Sequence, residues 1–215
     1  MKRENCVLII AGPSGVGKTV VAESLVELDP VFTFLRSATT RAKRGDEHDD
    51  EYIYFSEEEF LARVAKGEFA EHMRYGGCLY GTPKSELKRA FDAGKIPLMV
   101  LDLVGVRSMA LLEEYSVCSV YVYTDTDVIL DRLKKRYGDS EDGIRSYEKR
   151  RLQNENDFRT IGEYTDYIHS FIKNDTTVES CRDKVLSTFR DYENGAVRDA
   201  ANNREVADML NQSVK

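Results

Sequence analysis

Six consecutive apolar residues, from Cys6 to Ala11, form the first patterned segment of the chain. An unbroken apolar run of this length predicts a strand covered on both faces. Residues 19–28 then place Val21, Ala22, Leu25, Val26 and Leu28 at helical spacing, and Asp29-Pro30 ends that pattern. Residues 32–35 and 52–55 read as short strands. Ser56 and Glu59 have capping-box spacing and open a helix to about Lys66, stopped by Gly67. The polar and aromatic stretch 69–81 predicts a hairpin, and Pro83 opens a helix to about Ala93 closed by Gly94. A buried strand is expected over 96–101 ending at Asp102, then a helix over 106–115 and a second fully apolar strand over 117–123. Residues 127–137 read as a helix that is basic on one side, 138–143 as a polar loop, and 146–161 as a charged helix. A last strand over 170–172 and a helix over 178–192 follow. The stretch 194–215 is rich in Asn, Asp and Ala, with a weak helical pattern that predicts an added helix or a partly disordered tail.

Strands that alternate with helices, several of them apolar on both faces, imply an α/β fold of three layers around a central parallel sheet. The segment 37–90 breaks that rhythm with short amphipathic strands and is the natural place for an inserted substrate subdomain.

Composition narrows the function classes. A chain of 215 residues with 41% hydrophobic and 32% charged residues describes a globular protein with room for one well-packed domain. The net charge of −7 argues against nucleic acid as the main partner. No run approaches the ~18 apolar residues of a membrane span. Removing the N-terminus as a signal peptide would destroy the strand that leads into the glycine-rich loop, so a cytoplasmic location is expected. Cys6, Cys78, Cys118 and Cys181 lie far apart without C-x-x-C spacing, which favours reduced, structural thiols over zinc or disulfides.

The most informative motif is Gly12-Pro13-Ser14-Gly15-Val16-Gly17-Lys18-Thr19, placed between the first strand and the first helix. That setting is the one a Walker A phosphate loop requires. Its glycines let successive N–H groups converge on phosphate oxygens, Lys18 reaches the outer phosphates, and the Thr19 hydroxyl can ligate Mg²⁺. Asp102 stands at the carboxyl end of a strand, where an acid beside such a loop can hold Mg²⁺ or its waters; it can equally cap the helix that follows. Asp102-Leu-Val-Gly105 also fits D-x-x-G, but the chain has no N-K-x-D, which counts against a GTP switch. Arg41 and Arg44 place two guanidiniums close enough to clamp one phosphate.

Taken in order, these motifs resemble the guanylate kinase family. The matching pieces are Gly12 to Thr19, Ser37-x-Thr-Thr-Arg41-x-x-Arg44, Glu68-Phe-x-Glu71, Tyr80-Gly-Thr82 and Asn174-Asp175, over roughly residues 5–190. The resemblance implies transfer of the γ-phosphoryl group of ATP to GMP or dGMP, with Mg²⁺ held by Thr19 and Asp102. It implies a single domain with a core (1–36, 91–133 and 162–192), a GMP-binding insertion (37–90), a helical lid (134–161) and a tail (193–215). Arg41, Arg44, Tyr52 and Tyr80 would meet the GMP phosphate; Ser37, Glu71 and Thr82 would meet the base, with Asp102 beside them. The lid arginines would be Arg132, Arg136 and Arg151, with Arg150 as the competing choice for the last; Asn174 would meet the ATP adenine. Val100 stands where the family has a further acid, Val104 where it has Gln, and Val20 where a second hydroxyl is common. The acidic run is about one residue short, so Asp46 or Glu47 would take the usual acid's place. The resemblance further implies small-molecule substrates, no nucleic acid or membrane partner, and a monomer or homodimer. Two rival readings are a kinase of another phosphorylated acceptor and a non-catalytic guanylate-kinase-like interaction module.

Overall fold

The computed structural model describes residues 3–43, 52–75 and 77–214. Arg44, Asp46 and Glu47 lie outside the described residues. In chain order the elements begin with β1 (Cys6–Ala11), α1 (Lys18–Leu28), β2 (Phe32–Phe34), β3 (Ser37–Thr39), β4 (Tyr52–Tyr54) and α2 (Glu57–Ala65). They continue with β5 (Phe69–Tyr75), β6 (Cys78–Pro83), α3 (Lys84–Asp92), β7 (Ile96–Val100), α4 (Leu103–Ala110) and β8 (Ser116–Tyr123). The last are α5 (Thr126–Tyr137), α6 (Glu141–Thr160), a 3-10 helix (Ile161–Tyr167), β9 (Ser170–Lys173), α7 (Val178–Glu193) and α8 (Ala200–Gln212).

β1 is buried at all its positions because it is the middle strand of a five-stranded sheet, ordered β2-β7-β1-β8-β9. Every pairing in that sheet is parallel. The strand's alternation divides the core. Val7, Ile9 and Ala11 face a cluster built with α3, α4, α5, α6, the 3-10 helix and α8. Cys6, Leu8 and Ile10 face a second cluster built with α1 and α7. The result is three layers, as the apolar runs required.

A second sheet, ordered β4-β3-β6-β5, takes its strands from 37–83 and is mixed rather than parallel. One of its faces is closed by α2, whose Phe60 stacks on Phe69 beside Ala38 and Leu79. α2 carries the expected capping box, with Ser56 and Glu59 exchanging hydrogen bonds. α3, by contrast, buries Leu87 and Ala90 in the main cluster and so packs with the parallel sheet.

The structure differs from the sequence reading by several residues at the start of two helices, and of the two outcomes expected for the tail it has the helix. α4 starts at Leu103 rather than at 106, because Asp102 caps it: Oδ1 accepts from the Gly105 N–H at 2.8 Å. α6 starts at Glu141 rather than at 146, because Ser140 caps it and Glu141 and Asp142 favour its first turn. The expected polar loop is therefore only a short connection. The tail forms α8, which buries Ala207 and Leu210 against the main cluster and donates from Asn211 to the Arg159 carbonyl at 3.1 Å. Leu210→Ala is expected to cost about 2–5 kcal/mol, the range for emptying a filled leucine site. A denaturant midpoint equal to that of the parent would show that α8 adds nothing to the core.

Candidate active site

The phosphate loop follows the carboxyl end of β1, and its shape is fixed by close approach. Gly12 has φ +145°, and a Cβ there would lie 2.1 Å from the Val122 carbonyl oxygen. Gly15 and Gly17 also have positive φ, which turns the loop so that its amides point inward ahead of α1. Lys18 donates to the carbonyls of Gly12 and Pro13 at 2.7 and 2.9 Å, and Thr19 is exposed on the first turn of α1. Side chains from other elements brace the loop from outside. Arg132 on α5 donates to the Val16 carbonyl at 3.1 Å, and the buried Asn174 amide donates to the same oxygen at 2.8 Å. Asn154 on α6 accepts from the Ser14 N–H at 2.7 Å and donates to the Ser14 carbonyl at 3.0 Å. Asn174 and Arg132, expected at adenine and phosphoryl group respectively, thus have loop carbonyls as their partners in this structure.

Burial lowers the Lys18 pKa to about 8; the charges acting on it are, in decreasing order, Asp157, Arg150, Asp102 and Arg136. Asp157 is in turn pushed up to about 6, by burial first, while its Oδ1 accepts from Gln153 at 2.8 Å and Lys18 favours its ionised form. Asp102 is raised by burial, against the pull of the Gly105 and Val104 amides. Two acids therefore flank the loop lysine, one from the end of β7 and one from α6.

The second sheet brings the predicted acceptor residues into one row. Ser37 pairs with Tyr52, and Glu71 pairs with Thr82. Extending the Ala38–Gly81 register by one residue sets Ser37 opposite Thr82. Tyr52, Ser37, Thr82 and Glu71 thus cross four strands side by side, on the face away from α2, with Tyr80 two residues from Thr82 on the same side. Glu71 is 6% exposed and accepts from the Thr82 hydroxyl at 2.7 Å. Burial raises its pKa to about 7, with Asp102 adding to the rise. Gly81 has no Cβ for a steric reason: one would sit 2.8 Å from the Glu71 carbonyl and 3.0 Å from the Phe69 ring. Arg41 lies over the Tyr52 ring, 5.4 Å from its centroid, and donates to the Ala42 carbonyl at 3.1 Å. Asp102 acts on both Glu71 and Lys18, which links the row electrostatically to the phosphate loop.

The arginines of the expected lid separate. Arg132 touches the loop, and Arg136 and Arg150 act on Lys18 through space. Arg151 points along its own helix, pairing with Glu148 at 2.9 Å and with Glu155. Of the two adjacent arginines, Arg150 is the one whose charge acts on Lys18.

No motif in the sequence marks Asn154, Asp157 or Tyr121. Arg150, Asn154 and Asp157 are spaced i, i+4, i+7, one helical face, and that spacing was legible beside the charged pattern of α6. Tyr121, 1% exposed on β8, has a buried hydroxyl with no hydrogen-bond partner among the described residues. Nothing in an apolar strand signals that.

A family model described as guanylate kinase matches residues 4–191. A guanylate kinase of Cereibacter sphaeroides is 38% identical over 149 residues, which is 67% of this chain and 70% of that protein. One from Oleidesulfovibrio alaskensis is 32% identical over 189 residues, covering 87% of both. The crystal structure of guanylate kinase from Anaplasma phagocytophilum superposes with a TM-score of 0.62 at 23% identity, covering 90% of this chain and 89% of that one, which shows the shared fold.

Proposed function

We infer the reaction from one premise: this chain belongs to the guanylate kinase family. It transfers the γ-phosphoryl group of ATP to GMP, giving ADP and GDP. The observation that best supports this reading is the row Tyr52, Ser37, Thr82 and Glu71 on one face of the second sheet, tied to the phosphate-loop lysine by the charge of Asp102. Guanine presents N1–H and the N2 amine as adjacent donors, and one ionised carboxylate accepts from both. AMP would place an acceptor against Glu71 and leave it unpaired, at a cost of ~1–3 kcal/mol.

The remaining assignments are part of the same proposal. Arg41, Arg44, Tyr52 and Tyr80 hold the GMP phosphate; Ser37, Thr82 and Glu71 read the base, and dGMP is admitted as well. The loop of residues 12–19 holds the ATP phosphates, through the amides that follow Ser14 and through Lys18. A GMP phosphate oxygen attacks the γ-phosphorus directly and the β–γ bridging oxygen leaves with ADP, so no side chain acts as nucleophile. Positioning and charge neutralisation then supply the rate, through Lys18, Arg136 and Arg150, with Arg132 fixing the loop. Thr19 and Asp102 offer a hydroxyl and a carboxylate, the hard oxygen donors that Mg²⁺ takes. Bound there, Mg²⁺ would supply charge neutralisation at the ATP phosphates. We further propose a cytoplasmic enzyme acting as monomer or homodimer without a nucleic-acid or membrane partner; no described helix is long and apolar enough to cross a membrane.

A coupled ADP-release assay across nucleoside monophosphates tests the reading. Turnover with GMP and little with AMP, CMP or UMP is expected, and a preference for any of those three would overturn the role of Glu71. The arginine assignment has its own test. Arg150→Met is expected to lower kcat about 10²-fold, the loss from removing one preorganised charge at a transferring group. Arg151→Met should change kcat little, since its partners are Glu148 and Glu155 on the helix surface. The reverse order of effects would return the role to Arg151.

A further inference from the structure

Asn154 lies in the middle of α6 and is 5% exposed, in a helix whose other residues are mostly charged. Its amide spans one residue of the phosphate loop, accepting from the Ser14 N–H at 2.7 Å and donating to the Ser14 carbonyl at 3.0 Å. Only a group with an acceptor and a donor side by side makes both bonds, and they fix the peptide planes on each side of Ser14. Arg150 and Asp157, which act on Lys18, lie on the same face of α6. Phe158, 1% exposed in the main cluster, roots that end of the helix. α6 thus meets the loop through a polar contact held by an apolar anchor.

We propose that Asn154 is a positioning residue, which seats α6 on the phosphate loop and holds the loop amides in the arrangement that receives the ATP phosphates. The proposal rests on the kinase reading above and adds a determinant of ATP affinity that makes no contact with either substrate. Its effect is confined to the donor side, because the GMP row belongs to the other sheet. Bound to Asn154, the Ser14 amide is also withheld from the phosphates, so the loop offers them only the amides that follow.

Asn154→Ala is expected to raise the Kd for ATP about 10-fold, the loss of roughly one well-placed pair of buried hydrogen bonds. GMP affinity should stay unchanged. Asn154→Asp gives a readout that a packing role would not move. As a carboxylate it repels the Ser14 carbonyl, but protonated it offers the same acceptor and donor as the amide. Its ATP affinity should therefore climb relative to that of the Ala variant as pH falls, and exceed it once the acid is protonated. If the Ala variant does not fold, Asn154→Ser replaces it as the reference, since one hydroxyl cannot span both Ser14 groups. A folded Ala or Ser reference that binds ATP like the parent, or an Asp variant that never exceeds that reference, would overturn the proposal. Parent protein that binds ATP and phosphorylates GMP in the same experiment keeps the kinase reading independent of either result.

Discussion

Lys18→Ala is expected to fold normally and to transfer phosphoryl groups about 10²–10³-fold more slowly than the parent, the scale for deleting one preorganised charge at a reacting group. Stability should not suffer, and the sign follows from the pKa. Burial holds Lys18 at about 8, below its ordinary 10.5, so the folded chain carries its charge at a penalty. That penalty is fully present below pH 8 and fades between pH 8 and 10.5, where the unfolded chain binds the proton more tightly. The variant lacks the penalty, so its thermal midpoint at neutral pH should equal or exceed the parent's. The same pKa predicts that parental ATP affinity weakens as pH rises above about 8, offset in part because bound phosphate raises the lysine's pKa. Single-turnover rates together with melting curves check both halves. A variant that melts well below the parent would mean that Lys18 holds the loop together through the Gly12 and Pro13 carbonyls.

Glu71→Gln should lower kcat/KM for GMP roughly 10- to 100-fold, since an amide offers one acceptor where guanine presents two donors. Burial places the carboxyl at about 7, above its ordinary 4.5, so the folded chain binds this proton more tightly than the unfolded chain. Stability associated with Glu71 therefore falls as pH rises from 4.5 to 7, and the penalty is complete above pH 7. At pH 8 the Gln variant should be the more stable protein and the poorer enzyme. Parental GMP affinity should decline as pH falls below about 7 and the acid protonates, and that limb should be absent in the variant. Isothermal titration of GMP from pH 5.5 to 8.5 measures it; an identical limb in both proteins would assign the titration to another group.

Much of this site could be read in the chain because its parts are local. The phosphate loop is one continuous octapeptide behind a strand apolar on both faces, and Ser56 and Glu59 announce α2 within four residues. What the sequence hid depends on distant partners or on polar helices. α6 has few apolar residues to set a period, and Gly143 inside its first turn reads as loop until Ser140 is seen to cap it. The bracing of the loop by Asn154 joins residues 140 apart in the chain. α8 is only half legible: the weak helical pattern is there, but Ala207 and Leu210 are a thin apolar stripe among Asn, Asp and Glu, which leaves a disordered tail as the alternative. Asp102 combines two readings: it caps α4, and its charge acts on both Glu71 and Lys18.

One irregularity of the backbone decides which way Glu71, the carboxylate proposed to read the base, looks. The pairing of β5 with β6 shifts between Phe69 and Glu71, so that residues two apart, which regular alternation would place together, turn to opposite sides of the sheet. Phe69 lies under α2 while Glu71 looks toward Asp102. Selectivity for a purine would thus hang on one spare residue: were Ala70 paired in a regular ladder, the unaltered glutamate would turn toward the greasy underside beside Phe60, whereas excising Ala70 would leave its outlook intact.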